Sequence, residues 1–149
     1  MFISNPEERL NMEVTQAQYN YIKNLWIKHV TAEAEGKIDE VLSTMTDDCV
    51  YEIIQTGEVW IGHEGARSFY DILTKAVPDA EFELLDIAIG PQGVLGVANM
   101  KGTQKEPFAG IDQTGQQVYW RLINMFSWDP VKLKFTGERI YSFKPVNNN

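Results

Sequence analysis

Apolar positions follow two different rhythms along the chain, and the change falls near Pro78. Before it, Tyr21, Ile22, Leu25, Trp26, His29 and Val30 recur on one face of a helical repeat that opens at Thr15, an N-cap residue, and closes just before Gly36. Ile38, Val41, Leu42 and Met45 give a second, shorter helical stripe. Thr46-Asp47-Asp48 reads as a turn and Cys49 to Ile54 as a strand, rich in β-branched and aromatic residues. Trp60-Ile61-Gly62 leads into a third helix with Ala66, Phe69, Tyr70, Leu73 and Val77 on its apolar side, stopped by Pro78.

Beyond Pro78 the period is two. Phe82 and Leu84 alternate with Glu81 and Glu83, and Ile87 and Ile89 then take the opposite parity, which predicts a bulge near Leu85. Gly90-Pro91-Gln92-Gly93 is a hairpin turn. Strands follow over Val94–Thr103, Gln117–Trp128 and Phe135–Phe143, the last two joined at Asp129-Pro130. The segment 1–14 is polar and aperiodic and reads as a flexible arm, and 145–149 as a loose tail.

Three helices followed by a bulged antiparallel sheet make an α+β domain, with the sheet wrapped over the helices and a pocket left between them. The stretch Lys101–Trp128 organises the rest: its Gly/Pro/Thr-rich first half is expected at the rim of the pocket and its strand in the wall. In that strand Val118, Trp120, Leu122, Asn124, Phe126 and Trp128 alternate with Tyr119, Arg121, Ile123, Met125 and Ser127. Both faces are mostly apolar, so each requires a cover. The helices supply one, and a second copy of the chain is expected to supply the other, as a homodimer.

Composition narrows the function. At 149 residues one domain is expected, and 13 basic against 21 acidic residues give a net charge of −8. Such a surface repels phosphate backbones and anionic lipid, so neither nucleic acid nor membrane is an expected partner. The single cysteine, Cys49, rules out an internal disulfide and a Cys-based metal motif; no metal and no cofactor is expected. The N-terminal residues lack a signal-peptide pattern and no apolar run reaches membrane-spanning length, so a soluble cytoplasmic protein is the expectation.

Gly102-Thr103-Gln104, Phe108-Ala109-Gly110 and Thr114-Gly115-Gln116-Gln117-Val118 carry a family resemblance. With Val50-Tyr51-Glu52, Thr56-Gly57, Trp60 to Arg67 and Gly137-Glu138-Arg139-Ile140-Tyr141, they resemble the SnoaL-like polyketide (ester) cyclases of the NTF2-like superfamily, over about Tyr19 to Tyr141. The resemblance implies a cone-shaped barrel. It also implies an apolar pocket in which an acidic side chain shuttles a proton to an enolate during intramolecular aldol closure. Two positions depart from the pattern: its His is Gln104, and the acid that often follows the terminal Tyr by two is Phe143.

Candidate chemistry follows from which polar residues interrupt apolar strands. The strand 117–128 holds no carboxylate, leaving Glu138 and Glu52 as candidate bases, with Arg121 as an anion or carbonyl anchor or as the ion-pair partner of one of them. Asn124 and Gln104 can donate and accept hydrogen bonds but cannot carry a proton. Trp26, Tyr51, Trp60, Phe108, Trp120 and Tyr141 are candidate aromatic walls. His29, on an apolar helix face, is either a core histidine or a pocket acid/base. His63 and the Asp47-Asp48 pair read as surface and capping residues. Two functions fit: a cofactor-independent cyclase or isomerase acting on a small apolar carbonyl compound, or a non-enzymatic binding protein that keeps the pocket without the proton carrier. An epoxide hydrolase of the limonene-epoxide type fits less well, because the strands lack its Asp-Arg-Asp arrangement.

Overall fold

The computed structural model describes residues 5–146. Its elements are α1 (Pro6–Leu10), α2 (Gln16–Ala34), α3 (Ile38–Ser43), β1 (Met45–Ile53), β2 (Glu58–Ile61), α4 (Gly62–Ala76), β3 (Glu81–Gly90), β4 (Gly93–Thr103), β5 (Gln117–Asp129) and β6 (Lys134–Pro145). The six strands form one curved sheet ordered β2-β1-β6-β5-β4-β3, with β1 parallel to β6 and every other pair antiparallel. The sheet does not close: β2 and β3 remain its edges, so the expected barrel is an open, curved sheet with helices on its inner face.

Local chemistry sets the element ends. Thr15 caps α2 in a reciprocal box with Gln18, and Gly36, at φ +68°, follows the helix end. The period switch in the third long strand segment is a register shift between Leu84 and Asp86, where the bulge was expected. Four features differ from the sequence reading. The arm contains α1, capped by Asn5 and exposed throughout. Thr46-Asp47-Asp48 belong to β1 rather than to a turn, because pairing with β6 already begins at Met45, opposite Phe135; the two aspartates simply face solvent in an irregular part of the ladder. The short edge strand β2 folds back on β1 around Gly57. Finally, β6 runs to Pro145, into the expected tail, whose residues 147–149 lie outside the described residues.

Two close backbone approaches position the inner face. At Gly137, φ +144°, a Cβ would lie 1.9 Å from the carbonyl oxygen of Val50, so only glycine lets β6 run this close to β1. That contact sets Glu138 beside Tyr51 on one flank and Phe126 on the other. At Gly96 a Cβ would meet the Asn124 amide oxygen at 2.8 Å, so the missing side chain makes room for that amide.

Candidate active site

Between α2, α4 and the inner face of the sheet lies a cavity of about 770 Å³, in the size range of small-molecule sites. Its wall is mainly apolar: Phe69, Leu73, Phe108, Leu122, Phe126 and Phe143 lie on it. The buried Glu138 and the partly buried Glu33 and Asn124 interrupt that lining, and Glu81, at its exposed margin on β3, is paired with Lys101. Among the described residues no lysine or arginine lines it.

Helical spacing brings α2's contribution together. Trp26, Val30 and Glu33, at i, i+4 and i+7, line the cavity, and His29 stands between them one layer deeper, fully buried. The Thr44 hydroxyl donates to the Val41 carbonyl at 2.6 Å, so its oxygen is left to accept from His29 Nδ1, at 2.7 Å. This assigns the proton of the imidazole to Nδ1 and leaves Nε2 as an acceptor. The Tyr70 hydroxyl lies 3.4 Å from Nε2 and the Tyr51 hydroxyl 3.1 Å from that of Tyr70. Donation therefore runs in one direction, from Tyr51 to Tyr70 to His29 to Thr44 to a backbone carbonyl.

Every link of this chain is neutral. Burial lowers His29 to about 3, and burial together with the nearby carboxyls holds both tyrosines well above their usual range. The approach of Glu33 Oε2 to His29 Nε2, 3.8 Å, is consequently no ion pair. Glu33 is pushed up to about 8, first by desolvation and then by the charge of Glu138. Glu138 rises to about 7, again through desolvation, against which Asn124 Nδ2, donating to Oε1 at 2.9 Å, pulls it down. A carboxyl group that titrates near neutrality on an apolar wall can take up and release protons under ordinary conditions.

Of the residues singled out from sequence, Glu138, Asn124, Trp26 and Phe108 line the cavity. Trp120 is buried in the core beside Phe143, and the partly buried Trp60 packs on Phe69 at its edge; neither is on the cavity lining. Tyr51 and His29 stand behind it in the hydrogen-bonded chain. Glu52 lies on the other face of β1, 3.9 Å from Arg139. Arg121 too faces outward, its Nε donating to Asn99, because strand alternation puts it opposite Leu122 and Asn124; it pairs with neither Glu138 nor Glu52. Tyr141 is exposed and off the lining. Gln104 is a structural clip: its fully buried amide donates to the carbonyls of Glu106 and Ile111, pinning the loop that carries Phe108. His63 lies at the start of α4, 3.9 Å from Asp47 and away from the cavity. Sequence reasoning missed Glu33 and Tyr70. Extending the stripe of Trp26 and Val30 by one more turn reaches Glu33, whereas Tyr70 was absorbed into the apolar side of its helix.

The family model of the SnoaL-like polyketide cyclases matches residues 25–134. Similar solved structures include a candidate SnoaL-like polyketide cyclase from a Jannaschia species, with TM-score 0.74 and 18% identity over 87% of this chain and 90% of that one. An NTF2-like protein of unknown function from Burkholderia pseudomallei superposes with TM-score 0.69 at 8% identity, covering 83% and 91% of the two chains. TerC, co-crystallised with polyporic acid, superposes with TM-score 0.68 at 12% identity, covering 83% and 92%. No curated protein sequence matches. Among the described residues no helix is long and apolar enough to cross a membrane, and no three His, Cys, Asp or Glu side chains gather as a metal ion would require.

Proposed function

The chain belongs to the SnoaL-like polyketide cyclase family, and from that premise we propose that its cavity binds a small, flat, carbonyl-containing molecule and moves a proton on it, in a cyclase- or isomerase-type reaction. The observation that carries this reading is Glu138: a carboxyl group buried on an apolar wall, held by Asn124, and raised to about 7. The carboxylate form removes a proton from the carbon next to a carbonyl, and the carboxylic acid form returns it. The aromatic walls favour a flat ligand, and the lack of a lining cation favours one that arrives uncharged. Co-crystallisation of TerC with polyporic acid supports the view that this fold accepts a small organic molecule.

A second reading has an observation of its own. Gln104 stands where the family pattern has a histidine, and its amide is committed to two backbone carbonyls, so that position supplies no proton carrier. A binding protein without turnover would look the same there. Deuterium exchange at the α-carbons of 2-tetralone, an enolisable flat ketone, separates the two. The parent protein is expected to bind it and to accelerate exchange, and Glu138→Gln to bind without accelerating. Binding with no acceleration by the parent would favour the non-enzymatic reading, and no binding would overturn both.

A further inference from the structure

Glu33 was not expected at the site, yet it shares the cavity wall with Glu138 while making the opposite set of contacts. Glu138 receives a hydrogen bond from Asn124; among the described residues the Glu33 carboxyl receives none, and it stands 3.8 Å from the neutral His29 Nε2, whose lone pair already accepts from the Tyr70 hydroxyl. A carboxylate there, three-quarters buried, would have no donor to hold it and a second carboxyl group on the same wall, whereas a carboxylic acid carries neither penalty. Among the described residues the polar groups nearest the two are neutral: His29 from α2, Tyr70 from α4, Tyr51 from β1 and Asn124 from β5; Glu81, at the exposed margin on β3, is paired with Lys101 at 2.8 Å. Among the described residues no positive charge stands on the cavity wall to hold both carboxyls ionised.

We propose that Glu33 and Glu138 work as a carboxyl pair holding one proton between them, Glu138 as the base and Glu33 as the acid that meets the substrate oxygen. The pair's substrate class is a neutral compound with an enolisable C–H beside a ketone or ester. This rests on the proton-transfer reading above and adds to it a donor and a direction. The step balances within the site. Glu138 takes the α-proton, the C–H electron pair becomes the carbon–carbon π bond, and the carbonyl π pair moves onto oxygen, which takes the proton of Glu33. The product is a neutral enol, and the pair still holds one proton, now on Glu138. Because its total charge never changes, the reaction requires no charge to be created in a cavity that offers no cation to receive it. Returning the enol to a ketone, at the same carbon or at a conjugated one, resets the pair.

Two measurements test this, one without any ligand. In the protein labelled with ¹³C at glutamate carboxyls, the parent should show two coupled steps, near pH 7 and near pH 8. Glu138→Gln should leave Glu33 titrating in one step, lower by about a pH unit, as the like charge is removed. An unmoved Glu33 would show that the two do not form a pair. The second uses 2-naphthol, a flat neutral O–H compound whose oxygen can accept from Glu33 while its proton is given to Glu138. Its affinity, by calorimetry, should peak between about pH 7 and 8 and fall on either side. Glu138→Gln should bind about tenfold more weakly. Glu33→Gln, which keeps a donor, should bind within about threefold of the parent and lose the alkaline fall, while Glu33→Leu should lose about tenfold. Circular dichroism must match the parent for each. A peak that Glu33→Gln leaves in place overturns the pair, whereas coupled titration with no binding of 2-naphthol keeps the pair and overturns the reading of what the cavity is for.

Discussion

The two ends of the sheet treat their inner faces differently. At the β1–β6 end, α3 and α4 pack over the strands, and Tyr51, Ile53, Phe69 and Tyr70 are all buried. Glu138, on β6, belongs to this end and is almost fully desolvated, whereas Glu33, on α2, keeps about a quarter of its side chain exposed. At the β3 end, Phe82, Leu84 and Ile87 point to the same inner side as the cavity-lining residues, yet 49%, 47% and 44% of their surfaces are exposed. β3 pairs only with β4 and is guarded along its other face by Glu81, Glu83 and Asp86. One end is therefore a dry chemical floor and the other an uncovered apolar shelf, an arrangement suited to a ligand whose reacting oxygen goes in and whose apolar body lies across the strand edge.

The largest effect should come from breaking the floor. Phe126, buried against His29 and Phe135 at ring separations of 5.1 and 5.6 Å, is expected to cost about 3–5 kcal/mol when changed to Ala. Phe82→Ala, on the shelf, should cost below about 1 kcal/mol and instead weaken binding of flat ligands. Chemical denaturation measures both. Equal costs would mean that the shelf is covered in solution.

Next in size is the dependence of stability on pH. Glu33 and Glu138 are raised above their ordinary 4.5, so the stability they contribute is complete below that value and is lost as pH rises through about 7 and about 8. His29 acts in the other direction, its contribution lost as pH falls from 6.5 toward about 3. Above 6.5 the carboxyls act alone. The protein should lose on the order of 2 kcal/mol between pH 6.5 and 8, and Glu138→Gln should remove more than half of that slope. A parent whose stability is flat over this interval would show that the floor is wet.

Much of this frame was legible in the sequence, and what was not has a common cause. The capped helix from Thr15, the stop at Pro78, the bulge at Leu85 and the hairpins rest on interactions within a few residues of one another. Which face of β5 turns inward does not: Trp120, Leu122 and Phe126 are no more apolar as a set than Ile123 and Met125, and the choice is made by strands and helices far away in the chain. Arg121 and Asn124 therefore stand together as candidates in the sequence, and only the fold separates them, Arg121 to the outer face and Asn124 to the cavity wall. Glu33 escaped notice because an acidic residue near a helix end ordinarily faces water. Only the sheet curving over α2 makes it a wall residue. β2 was missed because four residues of a short edge strand carry too little pattern.

A smaller effect sharpens the floor itself. Asn124→Leu removes the donor to Glu138 and leaves an apolar group where Gly96 has made room. The loss matters more when the carboxylate is ionised, so destabilisation of about 1–2 kcal/mol is expected at pH 8 and less than about 1 at pH 6. The same variant should raise the titration midpoint of Glu138, since its hydrogen bond favours the charged form. A uniform loss at both pH values would mean that Asn124 serves packing rather than the carboxyl.

The smallest effect on folding belongs to the outer face, where we propose that a second copy of the chain sits. Leu95, Val97, Ile123 and Met125 form cross-strand pairs there, with Val59 and Ile61 on β2 facing the same way. Arg121 and Arg139 lie on that face together with Glu52 and Glu83, so a two-fold axis through the patch can bring each sign against the other while the apolar centre meets itself. Leu95, 43% exposed, is a sensitive probe because changing it touches little else within the chain. Leu95→Lys should alter stability of the single chain by no more than about 0.5 kcal/mol. In sedimentation at tens of micromolar, a range in which a specific interface is well populated, the parent should run at the dimer mass and the variant at the monomer mass. A parent that runs as a monomer would leave the outer face without a partner and would make its apolar residues as open to solvent as those of the shelf.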